Sequence, residues 1–259
     1  MSALLKLVNV TKQFGGLTAV DNLSMNIDSG TIHSLIGPNG AGKTTTTNLI
    51  EGVYPPTSGK IYFQDMDITG KETYEIARYG LGRTFQNIKL YNTMTAVENV
   101  MVGGHQLASL GLFASLVRVR KFNHEEKVLR EKAEELLAYV GLSEIRNEYV
   151  KNLPYGKKKV LELARALMTD PQLLLLDEPA AGLNPSERSA FIDLLNRIHK
   201  QGKTLFLIEH NMDVVMNISE MITVINFGAK IAEGTATEVQ NNSEVIKAYL
   251  GERYKVINE

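Results

Sequence analysis

One glycine-rich stretch near the N-terminus has the residue types and the spacing of a loop that binds phosphate groups. It reads Gly37-Pro38-Asn39-Gly40-Ala41-Gly42-Lys43-Thr44 and fits the pattern G-x-x-x-x-G-K-[ST]. The glycines allow the backbone to bend so that several N–H groups point at one anion. Lys43 can then reach the β- and γ-phosphates of a nucleotide, and the Thr44 hydroxyl can bind Mg²⁺.

A pair of carboxylates is the second chemical signal. Asp177 and Glu178 follow the leucine run 173–176, which is typical of a strand that is buried on both faces. In parallel α/β sheets, ligands bind at the carboxyl ends of the strands. We therefore expect Asp177 to hold Mg²⁺ through water, and Glu178 to orient and polarise a water molecule for attack on a phosphate.

Three other side chains are candidates for the same site. Phe14 lies in a predicted turn at 12–16, and its ring could stack on a base. Gln86 carries an amide that could contact Mg²⁺ and the attacking water. His210 follows the apolar run 204–208, so it should lie at the carboxyl edge of the sheet, where a γ-phosphate would be placed. Each of these residue types also has an ordinary structural role.

The surrounding pattern predicts an α/β protein with a P-loop NTPase core. An apolar run at 31–36 precedes the glycine-rich loop and a helix can begin at 45, which is the strand, loop and helix order that the motif requires. Residues 5–10 and 23–27 alternate apolar and polar side chains, as half-buried strands do, and strand character resumes at 60–64. We expect these three to form an antiparallel β-layer beside a mostly parallel sheet.

The middle of the chain is predicted to be helical, from about 95 to 142. An apolar piece at 110–117 either packs locally or forms part of a surface for a partner. A final short helix is expected at 243–250. The predicted organisation is a single domain, 1–259, with the nucleotide-binding core and β-layer at 1–85 and 160–259 and a helical sub-domain at about 86–159.

Composition narrows the functional classes. The chain has 259 residues, a formal net charge of −1 and no cysteine, so charge gives no case for nucleic acid and there is no thiolate metal site or disulfide framework. The five histidines have no metal-ligand spacing. No stretch approaches the roughly 20 apolar residues of a membrane helix, and the N-terminus has no signal-peptide pattern. We expect an intracellular protein that reaches a membrane only by docking on a spanning partner.

Taken in order, these motifs resemble the ATP-binding subunit of ABC transporters over nearly the whole chain. The most specific element is Leu153-Pro154-Tyr155-Gly156-Lys157, which opens a helix where that family has its signature sequence. Several stretches are similar to the group that serves branched-chain amino acids, namely 153–157, 161–167, 180–185, 209–216 and 248–252.

The resemblance implies that the cofactors are ATP and Mg²⁺. Phe14 would stack on adenine, and Thr45, together with the glycine-rich stretch, would wrap the phosphates. Thr44, Gln86 and Asp177 would hold Mg²⁺, the last through water.

The resemblance also implies catalytic roles. Glu178 would be the general base, His210 would contact the γ-phosphate, and Lys43 would neutralise the charge that develops there. Gln86 would sense Mg²⁺ and touch the permease. The signature-like loop, through Gly156, would act in trans on ATP held by the other subunit of a head-to-tail dimer.

The implied partners are a second ATP-binding subunit, two integral membrane permease subunits and, indirectly, an extracytoplasmic solute-binding protein. The chain would then be a peripheral subunit at the cytoplasmic face of the cell membrane. Pro154 and Tyr155 replace a serine and a glycine of the common signature, and Asn184 replaces an aspartate of the D-loop. These departures favour a heterodimer with a different ATPase subunit, although a homodimer stays open.

Other functions also fit part of the pattern. Similar ATPases serve urea or other amides and lipopolysaccharide export, and branched-chain amino acids are favoured by resemblance alone. A non-transport ABC ATPase and a regulatory module that binds ATP without turnover are further alternatives. A GTP-binding switch would need an Asn-Lys-x-Asp sequence to read guanine, and the chain has none.

Overall fold

The N-terminal part of the chain forms an antiparallel sheet. The computed structural model describes residues 3–84, 86–104 and 119–249. The strands of this sheet are β1 (Ala3–Phe14), β2 (Leu17–Asp28), β4 (Ser58–Phe63) and β5 (Met66–Asp67), in the spatial order β2-β1-β4-β5. The turn predicted at 12–16 is shorter than expected, because β1 continues to Phe14, which pairs with Leu17. Only two glycines remain in the turn, and Gly15 has a left-handed φ of 57° that suits a tight hairpin.

The second sheet has six strands and is parallel except at one edge. It contains β3 (Ile32–Ile36), β6 (Leu81–Arg83), β7 (Leu173–Asp177), β8 (Thr204–Ile208), β9 (Met221–Asn226) and β10 (Ala229–Gly234). Their spatial order is β10-β9-β3-β8-β7-β6, and only the β9–β10 hairpin pairs in the antiparallel sense. The predicted class, a P-loop α/β core with a mostly parallel sheet and an N-terminal antiparallel layer, is confirmed.

Helices connect and cover the strands. They are α1 (Lys43–Ile50), α2 (Thr73–Arg78), α3 (Ala96–Gly103), α4 (Val119–Tyr139), α5 (Tyr155–Leu167), α6 (Pro185–Lys200), α7 (Met212–Ile218), α8 (Ala236–Gln240) and α9 (243–249). Within the described ranges, no helix combines the length and the apolar character needed to cross a membrane. The apolar piece at 110–117 lies outside the described residues.

The central sheet separates the two larger of the three hydrophobic cores that the described residues form. On β7, Leu174 and Leu176 enter the core formed with α3 to α6, whereas Leu173 and Leu175 enter the core shared with the antiparallel sheet. This alternation follows from the two-residue period of a strand. Because β7 is packed on both faces and pairs with β8 as far as Asp177, the backbone that carries this carboxylate is held in place.

Candidate active site

The glycine-rich loop joins the end of β3 to the start of α1. Gly42 caps α1 with a left-handed φ of 103°. A Cβ atom at Gly42 would collide with the backbone carbonyl of Ala19, and a Cβ atom at Gly37 would collide with that of Ile225. The backbone of β2 and β9 therefore approaches the loop so closely that only glycine fits at these two positions.

The loop is arranged around the side chain of Lys43. Its ammonium donates hydrogen bonds to the carbonyl oxygens of Gly37 at 2.6 Å and Pro38 at 2.9 Å. Asn39 and Gly40 are exposed at the tip of the loop, whereas Ala41 is buried. Lys43 is thus held over the loop at the N-terminus of a helix, a position that favours an anion.

The threonines of α1 divide between structural and ligand-facing roles. Thr46 and Thr47 are buried and donate to the carbonyl oxygens of Gly42 at 3.0 Å and Lys43 at 2.8 Å. Thr44 is exposed and Thr45 is half-buried. The hydroxyl predicted to bind Mg²⁺ is therefore the one that remains accessible from solvent.

Three predicted residues meet at the carboxyl ends of neighbouring strands. Gln86 follows β6, Glu178 follows β7 and His210 follows β8. The Gln86 amide donates to Oε2 of Glu178 at 3.0 Å, and Nδ1 of His210 lies 3.4 Å from Oε1. The fold therefore brings together three side chains that are far apart in sequence, around the carboxylate that the sequence predicts to orient water.

The backbone of Glu178 adopts an uncommon conformation. Its φ is 45°, in the left-handed region that residues other than glycine rarely occupy, and its N–H donates to the carbonyl of Ile208 at 2.9 Å. Such a conformation persists only where the surroundings enforce it, and it recurs at active sites. Here it turns the chain sharply after Asp177, so that the two consecutive carboxylates occupy different environments.

Asp177 is buried and lies beside a cation that the sequence analysis missed. Nη2 of Arg83 lies 3.5 Å from Oδ2 of Asp177, and the same guanidinium forms an ion pair with buried Glu51. Burial raises the pKa of the Asp177 carboxyl above its usual value, and the positive charge of Arg83 opposes that shift. Arg83 had no recognisable signal, because β6 is too short to show a strand period.

The donor set suits Mg²⁺. Thr44 offers a hydroxyl, Gln86 an amide oxygen and Asp177 a carboxylate, all of which are hard oxygen ligands. The described part of the chain contains no cluster of three or more histidine, cysteine or acidic side chains that could form a metal cage. A sparse set of oxygen ligands is what Mg²⁺ uses when waters and phosphates complete its octahedron.

Phe14 presents a partly exposed ring at the end of β1. It is 46% exposed and meets Tyr54 edge-on at 5.3 Å between ring centroids. The ammonium of Lys12 lies 5.1 Å from the Phe14 centroid and 4.9 Å from that of Tyr54. The backbone of Ala19, on the second strand of this hairpin, lies against Gly42 of the phosphate loop.

The signature-like loop packs against the turn that follows the carboxylates. Pro154 caps α5 without a side-chain hydrogen bond. A Cβ atom at Gly182 would lie 2.8 Å from the Tyr155 ring, and one at Gly156 would lie 2.5 Å from the Glu187 carboxylate. The left-handed φ of 77° at Gly182 is a further reason for glycine at that position. The action of Gly156 in trans stays a prediction.

Asn184 has a clear structural role at the position of the D-loop aspartate. Its side chain accepts from the N–H of Glu187 at 2.9 Å, and the Glu187 carboxylate accepts from the N–H of Asn184 at 3.1 Å. This reciprocal pair is a capping box at the start of α6. The replacement of aspartate by asparagine therefore preserves the helix cap while it removes a charge.

Known proteins match the chain over nearly its full length. The sequence model of the family described as "ABC transporter" matches residues 20–181, and that of "Branched-chain amino acid ATP-binding cassette transporter" matches residues 229–255. The chain is 43% identical over 250 residues to the high-affinity branched-chain amino acid transport ATP-binding protein LivG of Escherichia coli (strain K12), with 96% of this chain and 98% of that protein covered.

Solved structures agree with these sequence matches. The ADP conformation of an ATP-binding cassette of an ABC transporter has a TM-score of 0.83 and 32% identity, with 97% of this chain and 100% of that chain covered. A dimeric post-hydrolysis state of another ATP-binding cassette, bound to ADP and Pi, has a TM-score of 0.75 and 26% identity, with 90% and 98% covered. The resemblance that the motifs predicted is confirmed: the chain belongs to the ABC transporter family, as one of its ATP-binding and ATP-hydrolysing cassettes.

Proposed function

We propose that this chain powers the import of branched-chain amino acids by hydrolysing ATP on the cytoplasmic face of a membrane transporter. The main support for ATP hydrolysis is that Gln86, Glu178 and His210 lie together at the edge of the sheet that holds the phosphate loop. The substrate is supported by the name of the Escherichia coli relative and by the second family match at 229–255.

In this proposal, ATP binds through main-chain groups of the loop and through Lys43, with adenine against Phe14. Lys43 is already held above the loop carbonyls, so little reorganisation is needed for its ammonium to meet a phosphate. Thr44, Gln86 and Asp177 would hold Mg²⁺. The bound ion would neutralise charge on the β- and γ-phosphate oxygens.

Hydrolysis would begin with a water molecule held by Glu178. The Gln86 amide and the His210 imidazole contact opposite carboxylate oxygens, so they fix the direction in which Glu178 accepts a proton. Lys43 would neutralise the negative charge that develops on the γ-phosphate, and His210 would contact an oxygen of the same group. Closure of a second subunit over the site would exclude bulk solvent and complete the set of groups that contact the γ-phosphate.

The second subunit is proposed to be a different ATPase. The loop around Pro154 lacks the serine hydroxyl and the N–H that the common signature offers to a γ-phosphate, although the α5 N-terminus retains its dipole. The contacts that this loop offers to the partner's nucleotide are therefore weaker. Such a loss is easier to accommodate when the partner supplies an intact signature to this chain's own nucleotide. The dimeric relative bound to ADP and Pi supports the association of two such cassettes.

The proposed membrane partners are two permease subunits, which would dock near Gln86, with a solute-binding protein on the far side. A cavity of about 340 Å³ opens beside β6, the strand that leads to Gln86. Its lining combines apolar residues such as Val53 and Ile76 with the charged residues Glu51, Arg83 and Arg165. This cavity could receive side chains from a permease segment, which would link transport to the position of Gln86.

Capture of the complex tests this proposal. The tagged Glu178→Gln chain, with MgATP added, would be isolated from detergent-solubilised membranes of its native cell and its companions identified by mass spectrometry. We expect two permeases and a second ATPase, and reconstitution of that set should yield ATP-dependent uptake of labelled leucine, isoleucine and valine. Recovery of the folded, ATP-bound chain without any membrane protein would overturn the transporter role. Uptake of urea, with no uptake of these three amino acids, would overturn the proposed substrate assignment.

A further inference from the structure

A buried cation lies behind the proposed catalytic carboxylate. Lys159 is on α5, one turn after the signature-like loop, and only 3% of it is exposed. Its ammonium donates to the carbonyl oxygen of Gln86 at 3.3 Å and to that of Glu178 at 3.4 Å. A buried ammonium is costly unless it is hydrogen-bonded and compensated by opposite charge, so its position calls for a physical reason.

The contacts of Lys159 close a ring. The main chains of Gln86 and Glu178 are joined through the ammonium, and their side chains are joined directly by the 3.0 Å hydrogen bond between Nε2 and Oε2. Neither residue can move away from the other without breaking one of these contacts. The ring therefore restrains the two functional groups from their backbone side as well as from their side-chain side.

Nearby carboxylates compensate the buried charge. Glu162, Glu209, Asp177 and Glu178 all act to keep Lys159 protonated, although burial is the larger influence and lowers its pKa. Two of these carboxylates belong to the proposed site itself. The cation is therefore electrostatically coupled to the acidic end of β7 in addition to its hydrogen bonds.

The same face of α5 holds the chain beyond Gln86. Glu162 accepts from the N–H of Lys89 at 3.1 Å, and Arg165 donates to the Lys89 carbonyl. Residues 159, 162 and 165 are each three apart and share one side of the helix. Lys159 also reaches the carbonyl oxygen of Glu178, so it joins the segment at Gln86 to the segment at Glu178.

We infer that Lys159 is a positioning residue for ATP hydrolysis, which fastens Gln86 and Glu178 to the helix that begins at the signature-like loop. The inference rests on the proposed roles of those two residues. Because the loop and Lys159 share one helix, a displacement of the loop by the partner's nucleotide is carried to this chain's own carboxylate. The two nucleotide sites of a dimer would thereby be mechanically linked.

This role is tested by steady-state ATP hydrolysis. The assay uses the full chain in its assembled transporter complex. Lys159→Gln should lower kcat about 10-fold or more, as small misplacements of catalytic groups do, while KM for ATP stays within about twofold. Lys159→Arg should restore most of kcat, because a guanidinium can donate to both carbonyls. Lys158→Gln, on the same turn of α5, is the matched control and should leave both constants unchanged.

A second measurement separates positioning from general damage. Hydrogen exchange of the backbone at 86–89 should be faster in Lys159→Gln than in the wild type, with exchange in β3 unchanged. Lys159→Met, which keeps a long aliphatic side chain, replaces the glutamine variant if the latter does not fold. If Lys159→Gln or Lys159→Met keeps the wild-type kcat while Glu178→Gln is inactive, the role of Lys159 is overturned and the role of Glu178 stands. An active Glu178→Gln overturns the proposed base and the inference with it.

Discussion

The amide of Gln86 donates to the carboxylate of Glu178 across 3.0 Å, although the two residues are 92 positions apart. His210 lies 3.4 Å from the other carboxylate oxygen. The three residues follow β6, β7 and β8, which are adjacent in the sheet. Because neighbouring strands set the spacing, a substitution that preserves the shape of Glu178 tests its charge without rebuilding the site.

Glu178→Gln should retain ATP binding and lower turnover about 10²–10⁴-fold, the usual scale for a positioned acid–base group. The amide keeps the length of the side chain but cannot accept the proton of the attacking water. Release of phosphate by the purified complex and equilibrium nucleotide binding are the two measurements. Turnover near that of the wild type would remove Glu178 from the role of general base.

Lys43→Ala should instead weaken nucleotide binding, by about 10- to 100-fold, since a hydrogen bond to a charged group contributes roughly 1.5–3 kcal/mol. The loss is expected because the ammonium is held above the loop where a phosphate would lie. Titration of the full chain with a fluorescent ATP analogue measures the change. Lys247→Ala, which removes an exposed lysine at the far end of the chain, is the control. Equal affinity in the two variants would contradict the phosphate-loop assignment.

Gly42→Ala should destabilise the fold by more than an ordinary substitution at a left-handed glycine. Gly42 has a φ of 103° and its added Cβ would meet the Ala19 carbonyl, whereas Gly202 has a φ of 86° and a Cβ added there would meet nothing within 4 Å. Gly202→Ala should therefore cost about 1–2 kcal/mol for the left-handed backbone alone, and Gly42→Ala should cost more. Unfolding in urea without nucleotide measures both, and equal losses would show that the contact with Ala19 is unimportant.

The stability of the fold should decrease as the pH falls from about 6.5 to about 4 because of His33. This residue is buried on β3 and bonded to Thr223 at 2.8 Å. Burial, with a smaller effect from the charge of Lys230, lowers the pKa of His33 from 6.5 to about 4. The unfolded chain therefore binds a proton in this range that the folded chain does not, so protonation favours unfolding.

The expected loss through this range is about 1.4 kcal/mol per pH unit, or roughly 3 kcal/mol in all. His33→Gln should reduce this dependence, because glutamine does not titrate in this range. The free energy of unfolding at several pH values provides the measurement. Parallel curves for the His33 variant and the wild type would exclude this residue as the cause.

The sequence alone was sufficient for features whose signal is local. The spacing of Gly37, Gly42 and Lys43 predicts the phosphate loop, because the residue types themselves create the turn and the anion site. The leucine run before Asp177 predicts a buried strand for the same reason. The family was recognised from motifs of this kind, and the matches to known proteins confirm it.

Features that depend on contacts between distant residues could not be predicted. Arg83 lies on a three-residue strand and acts on Asp177, far along the chain. Lys159 contacts main-chain carbonyl oxygens, and because every residue has one, the sequence does not indicate which of them a lysine will contact. The helix α8 has five residues, too few to show a helical period. The proposed roles of the individual site residues and the division into sub-domains remain predictions.

The alternation of leucines along β7 has a consequence for how the protein melts. Leu174 and Leu175 are neighbours on one strand, yet they enter different hydrophobic cores, and β8 alternates in the same way with Leu207 and Phe206. If either core became disordered, one face of β7 and β8 would lose its packing, although the same strands form part of the other core. The two cores should therefore unfold as a single cooperative unit, and the carboxylates at the edge of the sheet would be lost in one thermal transition.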